Sequence, residues 1–487
     1  MSHPADARPL VVDLDGTVAN TDLLAESACA LLGANPLRAL SMPAWLWGGK
    51  AHLKRRIAEQ ADVDVSSLPY NPAVLDRIDV ARKAGRPVFL ASASDEKYVA
   101  AVARHLGRFD GWFGSDGSVN LSGQAKALRL VEAFGERGFD YVGDHEVDLP
   151  VWERAHTAVA VDPPPALRRR LEALGRPLEA VTTPRPTHQA WLRLLRPHQW
   201  TKNVLVAVAL VTSHALTADA LLAVFLAFVA FCLCASSVYV LNDLVDLRSD
   251  RAHPGKRGRP FASGAVPLVP GALLAPLLLV VGFGVALFVS NPFAAVLGSY
   301  YLITLAYSFV LKRKMIIDVV TLAGLYTIRV IAGAVAIEVA VSHWILAFSM
   351  FIFLSLALVK RYAELATRLD SGLPDTGSRN YKVGDIPVVL SLAAAAGYSA
   401  VIVFSLYVAS DSVVVLYRWP AVLWFAVPLL VYWISRMLMM AHRRLMHEDP
   451  IVFALRDKVS LLTGALILVL LAVASLVPPP RWWGPPG

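Results

Sequence analysis

The chain has 487 residues, 56% of them hydrophobic and 17% charged, with a mean hydropathy of +0.52. Soluble domains run at about 45–50% apolar and about 25% charged, so an ordinary soluble enzyme is excluded; so is a disordered chain, which needs little hydrophobicity and much net charge. The formal net charge of +8 fits the bias of Lys and Arg towards cytoplasmic loops of membrane proteins, and no nucleic-acid partner is expected. Residues 1–195 read as a soluble domain, whereas 203–477 are mostly long apolar runs. Cys29, Cys232 and Cys234 offer neither a disulfide framework nor metal-ligand spacing, which suits a reducing compartment. The polar start, Met1 to Leu10, does not read as a secretory signal.

Leu10-Val11-Val12 predicts an apolar strand that runs into Asp13-Leu14-Asp15-Gly16-Thr17. Residues two apart on an extended segment point the same way, so Asp13 and Asp15 face one site, and Gly16 permits a sharp turn. Pro87 to Ser92 reads as a second strand ending in a hydroxyl, Lys126 lies near a helix start, and Tyr141 to Asp148 closes a further strand with Asp144 and Asp148. These motifs, in this order, resemble the haloacid-dehalogenase (HAD) superfamily. The resemblance implies an α/β Rossmann-like domain and a phosphatase. Asp13 would be the nucleophile and Asp15 the acid and base, with Thr17, Ser92 and Lys126 binding phosphoryl oxygens. Mg²⁺ would be held by Asp13, Asp144 and the main-chain carbonyl of Asp15, with Asp148 supporting from one step back. His145 receives no role.

An insertion at about 20–75 reads as a helical cap. It carries Leu40, Met42, Trp45, Leu46 and Trp47, then Lys50, Lys54, Arg55 and Arg56. Two readings stay open: a membrane-interface patch, or tryptophans that fill the core of the cap. The hydrolase domain is expected over 1–162. A Pro-rich basic stretch, 163–189, with Pro163, Pro164, Pro165, Pro177, Pro184 and Pro186, reads as a stiff linker near an anionic leaflet. The membrane domain follows over 190–487.

Nine apolar segments follow, at 203–216, 220–242, 266–290, 292–311, 315–338, 342–359, 386–409, 417–440 and 459–478, against about 20 residues needed for a crossing. Loops after the even segments carry the cations: Arg248, Arg251, Lys256, Arg257 and Arg259; Lys312, Arg313 and Lys314; Lys360, Arg361, Arg368, Arg379 and Lys382; Arg443, Arg444, Arg456 and Lys458. The alternate loops carry only Arg418, and the tail only Arg481. By the positive-inside rule the N-terminal domain is cytoplasmic and the C-terminus outside.

After the second segment stands Asn242-Asp243-x-x-Asp246-x-x-x-Asp250. On a helix Asn242, Asp246 and Asp250 share a face with Asp243 beside them. Carboxylates that close need a cation, and carboxylates with substrate phosphates are what Mg²⁺ selects. Lys256, Arg257 and Arg259 follow as candidate phosphate ligands. The motif and the nine helices resemble the UbiA superfamily of intramembrane transferases. The runs Leu195–Asn203, His253–Pro260 and Lys360–Leu365 look like its polyprenyl-phosphate phosphoribosyltransferases, which implies Mg²⁺ on Asp243, Asp246 and Asp250. It also implies phosphoribosyl diphosphate and a polyprenyl phosphate as substrates.

Aromatic prenyltransferases of that superfamily carry a second aspartate-rich motif after segment six. Here that loop has Lys360, Arg361, Glu364 and Asp370, which favours a second phosphate-bearing substrate or simply marks the cytoplasmic boundary. Segment five holds Asp318 and Arg329; Arg329 is open to two roles, a phosphate ligand or a structural partner of Asp318 or another helix. Lys202, in the matching motif, is a further phosphate candidate. Three functions compete. One is a phosphoribosyltransferase joined to a phosphatase that removes the 5-phosphate. The others are a ring-acceptor prenyltransferase with an unrelated phosphatase, and a transferase with a regulatory soluble half.

Overall fold

The computed structural model describes residues 8–183, 187–372, 380–446 and 449–480, and Pro184, Pro186, Arg379 and Arg481 lie outside the described residues. Contacts divide the chain into two compact units. The first joins Met1–Leu195 to Tyr239–Pro276, and the second joins Arg196–Val238 to Leu277–Gly487.

In the first unit, β1 (Leu10–Val12), β2 (Val88–Asp95), β3 (Gly111–Ser115), β4 (Asp140–Gly143), β5 (Ala158–Val161) and β6 (Leu178–Val181) form one sheet in the order 3-2-1-4-5-6. Every pairing is parallel, and Val12 lies opposite Leu90 on one side and Val142 on the other. The continuous apolar runs are what a sheet covered on both faces requires. Alternation sorts them: Leu10, Val12, Val88, Leu90 and Val142 enter one core, and Val11, Phe89, Ala91 and Tyr141 enter the other. Strand order reverses at β1, so a crevice opens at its carboxyl end, where Asp13 stands.

The sheet continues into the expected linker. Helix Pro165–Ala173 and β6 lie within 163–189, and the prolines do not oppose this. Pro164 caps that helix and Pro165 is its first residue, positions where a missing N–H costs nothing.

Helices Leu23–Ala34, Pro36–Ala39, Met42–Trp47 and Lys50–Gln60 build the insertion. Asp22 starts the first by accepting the Ala25 N–H at 2.9 Å. Trp45 packs with Leu31, Leu53 and Ile57, as the reading of a cap core has it, while Trp47 is exposed. A buried ion pair ties this insertion to the segment after the aspartate motif. Arg251 Nη1 and Nη2 lie 3.0 and 2.5 Å from the two Glu26 carboxylate oxygens, Thr21 donates to Glu26 at 2.6 Å, and Arg251 Nε donates to the Ala262 carbonyl at 3.1 Å.

Eight described helices are long and apolar enough to cross a membrane: Ala218–Val245, Leu268–Val289, Asn291–Phe309, Ile317–Ala336, His343–Asp370, Val383–Val408, Pro420–His442 and Lys458–Leu476. The expected first segment, 203–216, is not among them. It is too short for a spanning α-helix, and the chain there forms a 3₁₀ helix, Pro197–Ala207, followed by the short helix Val208–Thr212. At about 2.0 Å per 3₁₀ residue and 1.5 Å per α residue the two extend about 30 Å. Gly333 lets this segment approach closely, since a Cβ there would lie 2.8 Å from the Val206 carbonyl carbon.

Glu26→Gln leaves Arg251 buried without its counter-charge and is expected to destabilise the protein by about 3–5 kcal/mol, whereas the pair Glu26→Met with Arg251→Met recovers most of the loss. Thermal melts of the two variants in detergent check this.

Candidate active sites

At the end of β1 the Asp13 N–H donates to the Val142 carbonyl at 2.9 Å, and the chain turns at Gly16, φ +77°. A Cβ at Gly16 would lie 2.9 Å from the Asp144 carboxyl carbon, so the turn needs glycine for its backbone and for its neighbour. Carboxylate oxygens of Asp13, Asp144 and Asp148 lie within 4.8 Å of one another, the one such trio among the described residues. Asp148 Oδ2 is buried without a hydrogen-bond partner. An all-oxygen donor set with one orphaned oxygen fits Mg²⁺. Burial drives the Asp13 pKa well up, Lys126 pulls it back, and Asp148, Asp15 and Asp144 push it further. Burial and Asp148 raise that of Asp144 to about 6. Thr17 Oγ1 donates to Asp144 at 3.2 Å.

Lys126, in the first turn of helix Gln124–Phe134, lies 3.0 Å from Asp13, 3.0 Å from Asp148 and 2.8 Å from the Tyr141 hydroxyl. Burial opposes its charge, but Asp13 and Asp148 outweigh burial and raise its pKa. Asp15 is held by three donors: the Leu23 N–H at 2.7 Å, Ser92 Oγ at 2.7 Å and Ser94 Oγ at 2.8 Å. Ser92, expected on the phosphoryl group, is fully buried with its hydroxyl hydrogen committed to Asp15. Ser94 went unrecognised, although alternation along β2 puts it on the same face as Ser92. Lys54, expected in an interfacial run, instead donates to the Ala93 carbonyl at 2.5 Å and to Asn120 at 2.8 Å.

The aspartate motif ends helix Ala218–Val245, and Asp246 caps helix Leu247–Ala252. Backbone bonds of 2.8 Å from Asp246 N to Asn242 O and from Asp250 N to Asp246 O keep the four-residue spacing across the break. Asp243 and Asp250 are buried. Arg259, expected on phosphate, instead places Nη1 3.2 Å from Asp243 and 2.5 Å from Asp250. The turn closed by Arg259 N to Lys256 O at 2.9 Å folds it back onto the motif. A guanidinium thus stands in for a cation between two motif carboxylates. Lys256 and Arg257 are exposed.

In the second unit the 3₁₀ segment carries Lys202 and Asn203 into the interior. Lys202 Nζ lies 3.0 Å and Lys360 Nζ 2.9 Å from Asp449 Oδ2. Burial works against the Asp449 charge, but the two lysines prevail and hold its pKa far below the carboxylate range. Asp449 also caps helix Pro450–Arg456 through the Ile451 N–H at 3.2 Å, and the Asp-Pro pair was the available sequence signal. Arg329 is buried, donating to Asn203 at 2.9 Å, to the Tyr300 hydroxyl at 3.0 Å and to the Leu325 carbonyl. Its guanidinium lies 4.8 Å from the Tyr300 ring centroid and 5.5 Å from that of Tyr326.

Asp318 is therefore not the partner of Arg329. It pairs with Arg361, whose Nη2 is 2.8 Å away without hydrogen-bond alignment, and accepts the Tyr381 hydroxyl at 2.6 Å. Arg361, expected on phosphate, is fully buried between Asp318 and Glu364, because an inward arginine on one helix needs a carboxylate on the next.

Residues 203–456 match the UbiA prenyltransferase family, and residues 10–153 match the haloacid dehalogenase-like hydrolases. The chain belongs to the UbiA prenyltransferase family and carries a HAD-like hydrolase domain at its N-terminal side; its apolar helices make it an integral membrane protein. It is 40% identical over 467 residues to the uncharacterized protein y4nM of Sinorhizobium fredii, covering 94% of this chain and 89% of that one. It is 38% identical over 271 residues to nodulation protein NoeC of Azorhizobium caulinodans, covering 55% and 87%. It is 40% identical over 179 residues to decaprenyl-phosphate phosphoribosyltransferase of Mycolicibacterium smegmatis, covering 36% of this chain and 56% of that enzyme.

Gly16→Ala forces the first turn away from Asp144. Hydrolysis of a soluble aryl phosphate is expected to fall about a hundredfold, the usual cost of displacing a catalytic group by roughly 1 Å, and the melting temperature to drop as well, because alanine at φ +77° is strained. Steady-state kinetics beside a melt check it.

Proposed function

We propose that the membrane part transfers a 5-phosphoribosyl group from phosphoribosyl diphosphate to a polyprenyl phosphate. The HAD-like domain then hydrolyses the 5-phosphate of the lipid product. The end product is polyprenyl-phospho-ribose, a precursor of arabinofuranose donors. The observation that carries this reading is the pair Lys202 and Lys360 on the single carboxylate of Asp449. An excess of positive charge beneath the family's transferase fold suits an anionic acceptor better than a neutral ring.

In the transfer, a phosphate oxygen of the lipid attacks C1 of the ribose. The new C1–O bond forms as the bond to diphosphate breaks, and diphosphate leaves with the electron pair. The acceptor is already an anion, so no general base is needed. Lys202 and Lys360 would bind phosphate oxygens of the acceptor, and Asn242 and Arg259 those of the diphosphate. Asp243, Asp246 and Asp250 would hold Mg²⁺, which neutralises charge on the diphosphate. Arg259, now spanning Asp243 and Asp250, would turn to the diphosphate.

In the hydrolysis, an Asp13 oxygen attacks phosphorus and the bond to the ribose 5-oxygen breaks, leaving an aspartyl-phosphate. Asp15 gives its proton to the departing oxygen, then takes one from the water that attacks phosphorus and frees Asp13 and inorganic phosphate. Ser92, Ser94 and the Leu23 N–H hold Asp15 in place for both steps. Asp13, Asp144 and Asp148 would hold Mg²⁺, which screens charge on the phosphoryl oxygens. Removing the 5-phosphate draws the reversible transfer forward.

The charge rule puts the hydrolase on the cytoplasmic side of a bacterial inner membrane. It shares a compact unit with the basic loop that follows helix Ala218–Val245. The stretched segment Pro197–Thr212 then makes the ninth crossing, with its reach of about 30 Å.

Purified protein in lipid with phosphoribosyl diphosphate and polyprenyl phosphate tests the reading by mass spectrometry. Asp13→Asn is expected to accumulate the 5-phosphorylated lipid, and Asp246→Asn to make neither lipid. Dephosphorylated lipid from the Asp13 variant would remove the hydrolase from the sequence. A prenylated ring product would favour the other acceptor class.

A further inference from the structure

We propose that the cap of the hydrolase domain docks on an anionic lipid bilayer through Leu37, Leu40, Leu46 and Trp47. These four side chains are 79%, 76%, 48% and 94% exposed, and helix Met42–Trp47 buries no residue. Two short helices and Leu40 between them thus present four large apolar side chains to solvent within eleven residues of chain, where a domain surrounded by water would carry polar groups. Trp45, two residues from Trp47, turns into the core of the cap, so the outward ring is a choice of face and not a lack of core.

Charge identifies the occupant. From Ser27 to Ala58 there is no Asp or Glu, while Arg38, Lys50, Lys54, Arg55 and Arg56 fall in that stretch. Lys54 is taken up inside the domain, and Arg55 and Arg56 pair with Glu59, but Arg38, between Leu37 and Leu40, and Lys50, three residues after Trp47, are exposed. Tryptophan and leucine flanked by cations is the composition of a surface seated at lipid headgroups, where cations are drawn to an anionic leaflet.

Position supports the same occupant. Gly33 abuts the last residue of the spanning helix Ala218–Val245: a Cβ on Gly33 would lie 3.0 Å from the Val245 carbonyl oxygen. That contact sets the end of helix Leu23–Ala34 beside the last residue of a helix long and apolar enough to cross a membrane. Leu37 comes four residues later, within about 14 Å along the chain. The apolar run therefore begins near the end of that helix. Docking there would hold the Asp13 site against the surface that bears a lipid-linked phosphate, a consequence that rests on the proposed function although the docking itself does not.

The test uses the full chain in proteoliposomes. Trp47→Cys and, separately, Leu40→Cys are labelled with an environment-sensitive nitrobenzoxadiazole probe in a Cys29→Ser background. Leu128→Cys, on the helix Gln124–Phe134, serves as the control because Leu128 is exposed on a helix that covers the other face of the sheet. At 47 and 40 the emission is expected to shift to the blue and to be quenched at least twofold by lipids carrying a nitroxide near the headgroup. Quenching is expected to be stronger in phosphatidylglycerol vesicles than in phosphatidylcholine, and position 128 stays water-like. Water-like emission at 47 and 40 would overturn the proposal. So would a blue shift that nitroxide lipids do not quench, which would mean a second copy or another protein covers the patch. Equal quenching in neutral vesicles would overturn its electrostatic part. None of these readouts depends on turnover, so failure of the docking and failure of the proposed reactions are told apart.

Discussion

Taking a charge out of water is affordable only where an opposite charge is waiting, and that requirement arranges both units of this chain. Lys126 lies between Asp13 and Asp148, Arg251 against Glu26, Arg361 against Asp318, and Asp449 between Lys202 and Lys360. The partners stand far apart in sequence, by 113 residues for Lys126 and Asp13, 225 for Arg251 and Glu26, and 247 for Lys202 and Asp449. Each pair is therefore a constraint on how distant elements meet. A side chain lost from one of them leaves a buried charge alone, which penalises arrangements that separate the partners.

The same requirement shapes the chemistry. In the hydrolase, burial raises the Asp13 and Asp144 pKa values while Lys126 opposes the rise at Asp13, and the trio of carboxylates keeps one oxygen of Asp148 without a partner. A site built this way is short of positive charge, and a divalent cation is the natural complement. At the aspartate motif the shortage is met from within the chain, because Arg259 reaches back to Asp243 and Asp250. The two acidic centres thus differ in what balances them, one by an internal lysine with room for more charge, the other by an arginine with its own affinity for phosphate.

The Arg251–Glu26 pair gives the fusion of the two catalytic parts a structural expression. Glu26 belongs to the helix whose first residue, Leu23, donates its N–H to Asp15, and Arg251 directly follows Asp250 of the motif. One compact unit accordingly contains Asp15 and the carboxylates of the aspartate motif. The hydrolase is not tethered by a stiff basic linker alone, since that stretch supplies the sixth strand of its sheet.

Local sequence by itself determined the two-part organisation, the strands that carry carboxylates at the end of β1 and β4, and the aspartate motif, while the parallel sheet followed from the resemblance of those motifs. Each of the first three is written in a short-range pattern: an apolar run, an alternation, a four-residue spacing. Tertiary structure decided the pairings. That Ser92 serves Asp15, that Arg361 and not Arg329 meets Asp318, and that Asp449 joins Lys202 to Lys360 depends on which helices and strands lie side by side. It also decided that Pro197–Ala207 winds as a 3₁₀ helix, where Gly333 admits the Val206 carbonyl, and that Trp47 faces outward while Trp45 faces in. The physical reason is one of range. Backbone propensity and side-chain periodicity act over a few residues, whereas the energy of a buried charge or a close helix contact depends on a partner tens to hundreds of positions away.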